Sequence, residues 1–184
     1  MVLNLKAILL NSLNFQNVFL LAILIFLLKI LIDLIRGKAI FVPLPKNTIR
    51  KALRGLKTKN KVLLDLGSGD GRVLIIAVKE FKCKKAYGIE KNFLLYLISK
   101  LFIKLNKLEK RIKVIRADFL KTKIPKADII TMYLNWGMMR DVEKKILKEC
   151  KNCRVISFAH RLPNLKEYKR IKTGHFYTYF YKIT

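Results

Sequence analysis

The sequence predicts an α/β fold: a doubly wound, mostly parallel sheet of seven strands, preceded by an apolar helix at the N-terminus. From residue 61 onward, short apolar runs alternate with segments of helical periodicity. A glycine-rich turn follows the first of these runs, and the last two runs are close enough in sequence to pair as antiparallel strands. Because strand–helix–strand crossovers are right-handed, this alternation builds a parallel sheet covered by helices.

Each element has its own signal in the sequence. Strands are predicted over residues 61–66, 85–90, 111–116, 128–134, 154–159, 168–172 and 176–183. The first five are short and largely apolar, as expected of parallel strands that are buried on both faces. Helices are predicted over residues 72–81, 92–108 and 141–150. Ligands of such sheets bind at the carboxyl ends of the strands, so functional side chains are expected there.

The helix predicted over residues 92–108 has two contrasting arcs. A helical wheel places one set of aliphatic residues together, namely Leu94, Leu97, Ile98, Leu101, Leu105 and Leu108. We expect this arc to face the sheet. Phe93, Tyr96 and Ile103 lie on the opposite arc among lysines, which predicts an outward face suited to a membrane surface.

The first forty residues differ in composition from the rest. Apolar residues run without a break over 18–28, and the apolar stretch extends over 15–35, about the length that spans a bilayer. Within it, Lys29 and Asp33 stand four apart and can pair on a helix. A signal peptide and a buried or interfacial helix are alternatives, and we favour a membrane anchor over residues 1–40 followed by a globular domain over residues 41–184.

Basic residues follow the apolar segment, namely Arg36, Lys38, Lys46, Arg50 and Lys51. By the positive-inside rule they place the C-terminal domain in the cytoplasm, so the sequence predicts a single-pass, membrane-associated protein. Between anchor and domain, Pro43 and Pro45 forbid a continuous helix and predict a hinge.

The charge balance is strongly basic. The 184 residues contain 39 Lys and Arg against 12 Asp and Glu, for a net charge of +27. Residues 1–40 contribute +3, so +24 belongs to the remainder. A charge of this sign indicates an acidic partner, which is a nucleic acid, an anionic membrane surface or another acidic surface. The three cysteines are few and odd in number, which favours a reducing compartment.

The sharpest motif is the run from Asp65 to Arg72, Asp-Leu-Gly-Ser-Gly-Asp-Gly-Arg, between the first strand and its helix. Gly67, Gly69 and Gly71 let the backbone turn tightly and approach a ligand closely. The loop amides and the helix N-terminus favour a negative group, such as the carboxylate of an amino-acid-like ligand. Arg72 stands where a dinucleotide fingerprint needs its third glycine, and the loop lacks the Gly-Lys-Ser/Thr ending of a P-loop, so neither site is predicted.

Acidic residues follow the neighbouring strands. Glu90 ends the second strand, where an acid can accept hydrogen bonds from both ribose hydroxyls. Asp118 follows the third strand beside Phe119, where an acid can bond an exocyclic adenine amine and the ring can contact the base. Together with Asp65 and Asp70, these acids are expected at one edge of the sheet.

These motifs resemble those of class I S-adenosylmethionine-dependent methyltransferases, whose fold is a Rossmann-like sheet. The glycine loop resembles their first motif, Glu90 their ribose acid, and Asp118 with Phe119 their adenine pair. Residues 41–45, 130–134 and 154–157 are similar to the small archaeal protein-lysine methyltransferases and their membrane-anchored relatives, which modify the adenine nucleotide carrier and the c-ring protein of ATP synthase.

The resemblance implies S-adenosylmethionine as cofactor and a lysine side chain of a protein, at or near the membrane, as substrate. It implies the following cofactor-binding residues: Asp65, Gly67, Gly69, Gly71, Glu90, Asp118 and Phe119. On the acceptor side, the candidate catalytic residues are Tyr133, Asn135 and Trp136. Tyr133 and Trp136 would line a dry channel that lowers the pKa of a lysine, and Asn135 would accept a hydrogen bond from its amine.

Two other functions stay open on the sequence. An RNA methyltransferase is favoured by the basic charge, although the Asn-Pro-Pro-aromatic signature of base-amine methylation is missing after the fourth strand. The other alternative is a membrane-tethered protein that binds the cofactor without catalysis. No metal site is expected, because Cys150 and Cys153 form a lone pair and a zinc site needs four ligands.

Overall fold

The computed structural model describes residues 15–35 and 41–184, with side chains at 16–28 and 41–184. The chain divides into two units, Met1–Val42 and Pro43–Thr184. In the first, the apolar stretch forms a 21-residue helix, α1 (Phe15–Ile35). The predicted pairing of Lys29 with Asp33 and the basic residues before residue 41 lie outside the described residues.

The predicted N-terminal helix is present, whereas its role as a membrane helix is not confirmed. Within the side chains that the structure describes, no helix is both long enough and apolar enough to cross a bilayer. Membrane attachment therefore stays a prediction.

The second unit alternates strands and helices in the predicted order. Its strands are β1 (Val62–Leu66), β2 (Lys85–Glu90), β3 (Ile112–Arg116), β4 (Ile129–Met132), β5 (Cys153–Phe158), β6 (Lys169–Thr173) and β7 (Phe176–Ile183). Its helices are α2 (Lys46–Arg54), α3 (Arg72–Lys79), α4 (Phe93–Leu105) and α5 (Met139–Glu149), with a 3₁₀ turn at Trp136–Met138. Helix α2 and the 3₁₀ turn were not predicted.

The seven strands form one sheet in the order β3-β2-β1-β4-β5-β7-β6. The first five of these are parallel, and β7 runs antiparallel to both β5 and β6. This confirms the predicted doubly wound, mostly parallel sheet and its antiparallel closing pair. The strand order reverses between β1 and β4, and sheets of this kind bind ligands at the carboxyl ends of those strands.

Two hydrophobic cores cover the two faces of the sheet. Leu63 packs in the core beneath α2, α3 and α4, whereas its neighbour Leu64 packs in the core beneath α5. Burial on both faces explains why these strands are almost continuously apolar. Leu44, between the two prolines, belongs to the first core and is 3% exposed. Residues 43–45 therefore lie in the folded domain, directly after the boundary between the two units.

Helix α4 packs on the domain with the side opposite to the predicted one. Its buried residues are Ser99 and Ile103, and Tyr96 packs against the core. Of the three residues predicted to face outward, only Phe93 is exposed. A Cβ added to Gly71 would lie only 3.2 Å from the Ser99 Cβ, so a small residue is needed where α4 meets the glycine loop. Most of the predicted inward arc is consequently exposed, namely Leu94, Leu97, Ile98, Leu101 and Leu105.

Candidate functional site

The glycine loop joins β1 to α3 through three residues in the left-handed backbone region. The φ angles of Gly67, Gly69 and Gly71 are +72°, +54° and +80°. Residues other than glycine rarely adopt these angles, because their Cβ is then too close to the backbone. At Gly67 an added Cβ would also lie 2.7 Å from Leu134 Cδ2, so the Leu134 side chain would have to move. Gly71 immediately precedes α3, so the loop opens directly onto a helix N-terminus as predicted.

Glu90 ties this loop to the carboxyl end of β2. Its Oε2 accepts the backbone N–H of Gly69 at 2.8 Å, and its Oε1 accepts the backbone N–H of Asn92 at 2.7 Å. The side chain is buried. Each carboxylate oxygen has further lone-pair capacity, so Glu90 is able to accept ribose hydroxyls while it orders the loop. The sequence predicted that Glu90 accepts ribose hydroxyls, and it did not predict that Glu90 orders the glycine loop.

Asp65 is buried at the carboxyl end of β1. Thr131, on the adjacent strand β4, donates its hydroxyl to Asp65 Oδ1 at 2.6 Å. Burial, helped by the charges of Glu90 and Asp70, raises the pKa of Asp65 to about 8 against the opposing effect of the Thr131 hydrogen bond. A cation placed near this carboxyl favours its ionised form. Thr131 was not predicted, and its only signal is a polar residue inside an apolar strand.

Asp70, which was predicted at the same edge of the sheet as the other acids, is paired with an arginine. Arg72 donates from Nη2 to Asp70 Oδ2 at 2.6 Å and from Nε to both carboxylate oxygens at 3.0 Å. The same guanidinium donates from Nη1 to the Leu44 carbonyl at 3.1 Å. Arg72 therefore links the glycine loop to the two-proline segment.

Asp118 and Phe119 lie just beyond β3. Asp118 accepts Lys91 Nζ at 2.9 Å and the backbone N–H of Leu120 at 3.0 Å. The hydrogen bond from Lys91 is the main cause that lowers the pKa of Asp118. Lys91 is exposed, so the ion pair is weak and Asp118 is available to a ligand. Phe119 is buried in the core beneath α5, and its predicted contact with a base stays a prediction.

Ser68 and Gly88 are site residues that were not predicted from the sequence. Among the described residues, the buried Ser68 Oγ has no hydrogen-bond partner. A Cβ added to Gly88 would lie 2.5 Å from this Oγ and 2.8 Å from Leu74 Cδ1, so the loop needs a glycine at this point of β2. A glycine inside a strand is itself a signal of close backbone approach.

These features fit S-adenosylmethionine. The loop amides suit a carboxylate, Asp65 and Glu90 lie together at adjacent strand ends, and the orphaned Ser68 hydroxyl is costly unless a ligand bonds it. No cluster of His, Cys, Asp or Glu suited to a metal ion occurs in the described parts of the chain. The three cysteines are buried free thiols.

The predicted acceptor residues follow β4 but do not enclose a channel by themselves. Tyr133 is half-buried and stacks on Phe176 with 5.7 Å between ring centroids. Asn135 is exposed and accepts the Gly137 N–H at the start of the 3₁₀ turn. Trp136 is 74% exposed. Their catalytic roles stay predictions.

An open cavity of about 690 Å³ lies beyond the carboxyl ends of β4 and β5. Its lining combines aromatic and basic side chains with one acid, among them Trp136, Arg140, Asp141, His160, Arg161 and Tyr179. The cavity therefore lies at the edge of the sheet where folds of this kind bind their ligands.

Comparison with known proteins identifies relatives of this chain. Residues 65–169 match the family model described as the ANTKMT methyltransferase domain. A protein-lysine N-methyltransferase of Saccharolobus islandicus is 33% identical over 138 residues, which cover 73% of this chain and 86% of the relative. A lysine N-methyltransferase of Xenopus laevis, named for the C-subunit of ATP synthase, is 27% identical over 125 residues, covering 67% of this chain and 54% of the relative.

Solved structures share the fold. An RNA methyltransferase from Salinibacter ruber in complex with S-adenosyl-L-homocysteine has a TM-score of 0.74 at 22% identity, covering 77% of this chain and 94% of that one. A SAM-dependent methyltransferase from Aquifex aeolicus has a TM-score of 0.61 at 14% identity, covering 74% and 89%. Combined with the glycine loop and its acids, the family match shows that the chain belongs to the ANTKMT methyltransferase domain family and is an S-adenosylmethionine-dependent methyltransferase.

Proposed function

We propose that this enzyme methylates the side-chain amine of lysine residues in proteins. The observation that carries the proposal is its similarity, at 33% identity over 73% of the chain, to a relative named protein-lysine N-methyltransferase. The wide opening beside β4 supports it, because a lysine presented on a protein surface needs an accessible entrance.

The residues at this opening have distinct tasks. When bound, S-adenosylmethionine supplies a methyl group that is already activated. The glycine loop and Glu90 hold the donor, so the protein chiefly aligns donor and acceptor. A lysine amine must first lose a proton, which costs roughly 4–5 kcal/mol from a pKa of ~10.4 to pH 7. Desolvation by Tyr133 and Trp136 lowers that cost, and Asn135 Oδ1 accepts an amine N–H.

The exposure of Trp136 implies that the substrate completes the dry environment. With 74% of its surface exposed, the indole excludes water from an amine only when an acceptor protein covers it. Free lysine is therefore expected to be a poor substrate compared with lysine in a folded or extended protein segment.

We further propose that the acceptor lies at or near a membrane. Residues 1–40 would attach the enzyme, with the catalytic domain in the cytoplasm. The apolar stretch over 15–35 and the basic residues that follow it support this arrangement.

The proposal is tested by methyl transfer to cell fractions. The full-length protein is incubated with methyl-labelled S-adenosylmethionine and with membranes, ribosomes or total RNA in separate reactions. We expect labelled protein in the membrane fraction that protease removes, nuclease does not, and acid hydrolysis converts to methyl-lysine. Gly69→Val is the inactive control, because valine is strained at a φ of +54°.

Two outcomes would contradict the proposal. Label that only nuclease removes would identify an RNA methyltransferase. An enzyme that binds S-adenosylmethionine normally but labels nothing in any fraction would instead be a binding protein without catalysis.

A further inference from the structure

Helix α4 exposes a continuous aliphatic surface, here called the leucine stripe. Its five members are 39% to 68% exposed, namely Leu94, Leu97, Ile98, Leu101 and Leu105. Ser99 and Ile103 face the domain, so the stripe lies on the side of α4 away from the core. A contiguous apolar surface of this kind marks an interaction site more often than a solvated face.

Basic side chains border the leucine stripe on both flanks. On one flank, Lys100 and Lys104 are exposed residues of α4 itself, and the helix contains no acidic residue. On the other flank, Phe102 lines a cavity of about 400 Å³ together with Lys46, Arg50 and Lys79.

The acids in that cavity cancel only part of its charge. Asp70 is paired with Arg72, and Glu80 is paired with Arg50. Lys46 and Lys79 remain in excess, so the cavity keeps a net positive charge. The net charge of +27 has the same sign as this border. A partner that complements both the apolar stripe and its basic border has a negatively charged surface with an apolar layer below it.

We propose that the leucine stripe docks the catalytic domain onto an anionic lipid bilayer. Aliphatic side chains would enter the boundary between headgroups and acyl chains, while the flanking lysines contact lipid phosphates. A second copy of the chain is a poorer occupant, because it would bring an equally basic border into contact. The proposal does not depend on which acceptor is methylated, and its test does not use activity.

Docking would orient the site as well as localise it. Helix α4 begins just after Glu90, so the stripe starts at the carboxyl edge of the sheet, where the cofactor loop lies. The docked domain would then hold this edge close to the membrane surface.

The first test measures vesicle binding of the unit Pro43–Thr184. Both cores and the whole sheet lie within this unit, so we expect it to fold without the preceding residues. We expect it to bind phosphatidylcholine vesicles only when they contain phosphatidylglycerol, and less as salt rises. Leu97→Ser combined with Leu101→Ser should lower the partition coefficient by at least about tenfold, and Lys100→Glu with Lys104→Glu by about tenfold or more.

Leu147→Ser is the matched control. Leu147 is an exposed leucine beside Lys144 and Lys148 on α5, away from the stripe, so its substitution should leave vesicle binding unchanged. Unchanged affinity for S-adenosylhomocysteine shows that each variant is folded, because the substituted side chains lie outside the glycine loop.

The second test uses the full chain with Leu101→Cys carrying an environment-sensitive fluorophore, since the native cysteines are buried. Emission should shift to the blue with anionic vesicles only. Equal binding of the wild-type unit and the Leu97/Leu101 variant, or no binding by either, would overturn the proposal. A dimer in buffer that Leu101→Ser dissociates would also overturn it, because a second copy would then cover the stripe. A fluorophore already shielded without vesicles would overturn it as well, because another segment of the same chain would then cover the stripe.

Discussion

The carboxylate of Glu90 accepts two backbone N–H groups, one from the glycine loop and one from the start of α4. We predict that Glu90→Ala weakens binding of S-adenosylhomocysteine by at least about 1–3 kcal/mol, because it removes both the ribose acceptor and the restraint on Gly69. Glu90→Gln keeps one acceptor oxygen and should lose less. Calorimetry measures both affinities, with the exposed Glu109→Ala as control. Unchanged affinity in Glu90→Ala would exclude Glu90 from the site.

The buried carboxyl of Asp65 makes the stability of the free enzyme depend on pH. Its pKa is raised from 3.8 to about 8 in the fold. Between these values the folded state retains a proton that the unfolded state releases, so stability is highest below the unfolded pKa and falls as the pH rises through the folded pKa. We predict that wild-type stability falls relative to Asp65→Asn between about pH 4 and 8. Thermal melting of both proteins at a series of pH values measures this difference. The same dependence of Tm on pH in both proteins would refute the raised pKa.

At the scale of elements, the packing of α4 against the glycine loop leads to a matched pair of variants. Ser99→Leu should destabilise the domain by roughly 1–3 kcal/mol, because the larger side chain has no room beside Gly71. It should also weaken cofactor binding by displacing the loop. Ser99→Ala removes only the hydroxyl that donates to the Tyr96 carbonyl and should be nearly neutral. Denaturant unfolding measures both, and equal stability of the two variants would contradict the close packing.

Elements with a strong local signal were predicted well, and contacts between elements were not. Strands β2 and β7 have the predicted ends, because alternation and flanking turns are local properties. The orientation of α4 was predicted wrongly, since a helical wheel ranks hydrophobicity and contains no information on the clearance at Gly71. The common location of Asp65 and Glu90 was predicted correctly, because the carboxyl ends of neighbouring parallel strands lie at one edge of the sheet.

The supporting residues of the site depend on strand register. Asp65 stands beside Gly88 on β2 and beside Thr131 on β4, so these residues form one row across three strands. Only the strand order brings Thr131 next to Asp65. The same limit applies to Arg72 and Leu44, whose hydrogen bond requires the two-proline segment to fold back against α3.

At the scale of the whole molecule, the two units should be separable in function. We predict that deletion of residues 1–38 leaves cofactor affinity unchanged, because every cofactor residue lies in Pro43–Thr184. It should abolish membrane attachment that resists alkaline carbonate, since the apolar stretch over 15–35 is removed. Cell fractionation and calorimetry measure the two properties. Full-length protein recovered in the soluble fraction without detergent would contradict the anchor.

The hydrogen bond between Arg72 and the Leu44 carbonyl has a mechanical consequence. Pro43 is the first residue of the catalytic unit, and the Arg72 guanidinium connects its neighbour Leu44 to Asp70 in the cofactor loop. A pulling force applied at Pro43 would therefore be transmitted through Arg72 to the cofactor loop before it reaches the strands of the sheet. Under a single-molecule pull at this end, bound S-adenosylhomocysteine should dissociate faster as force increases. In Arg72→Gln that force dependence should largely disappear, and an identical response in both proteins would show that the load takes another path.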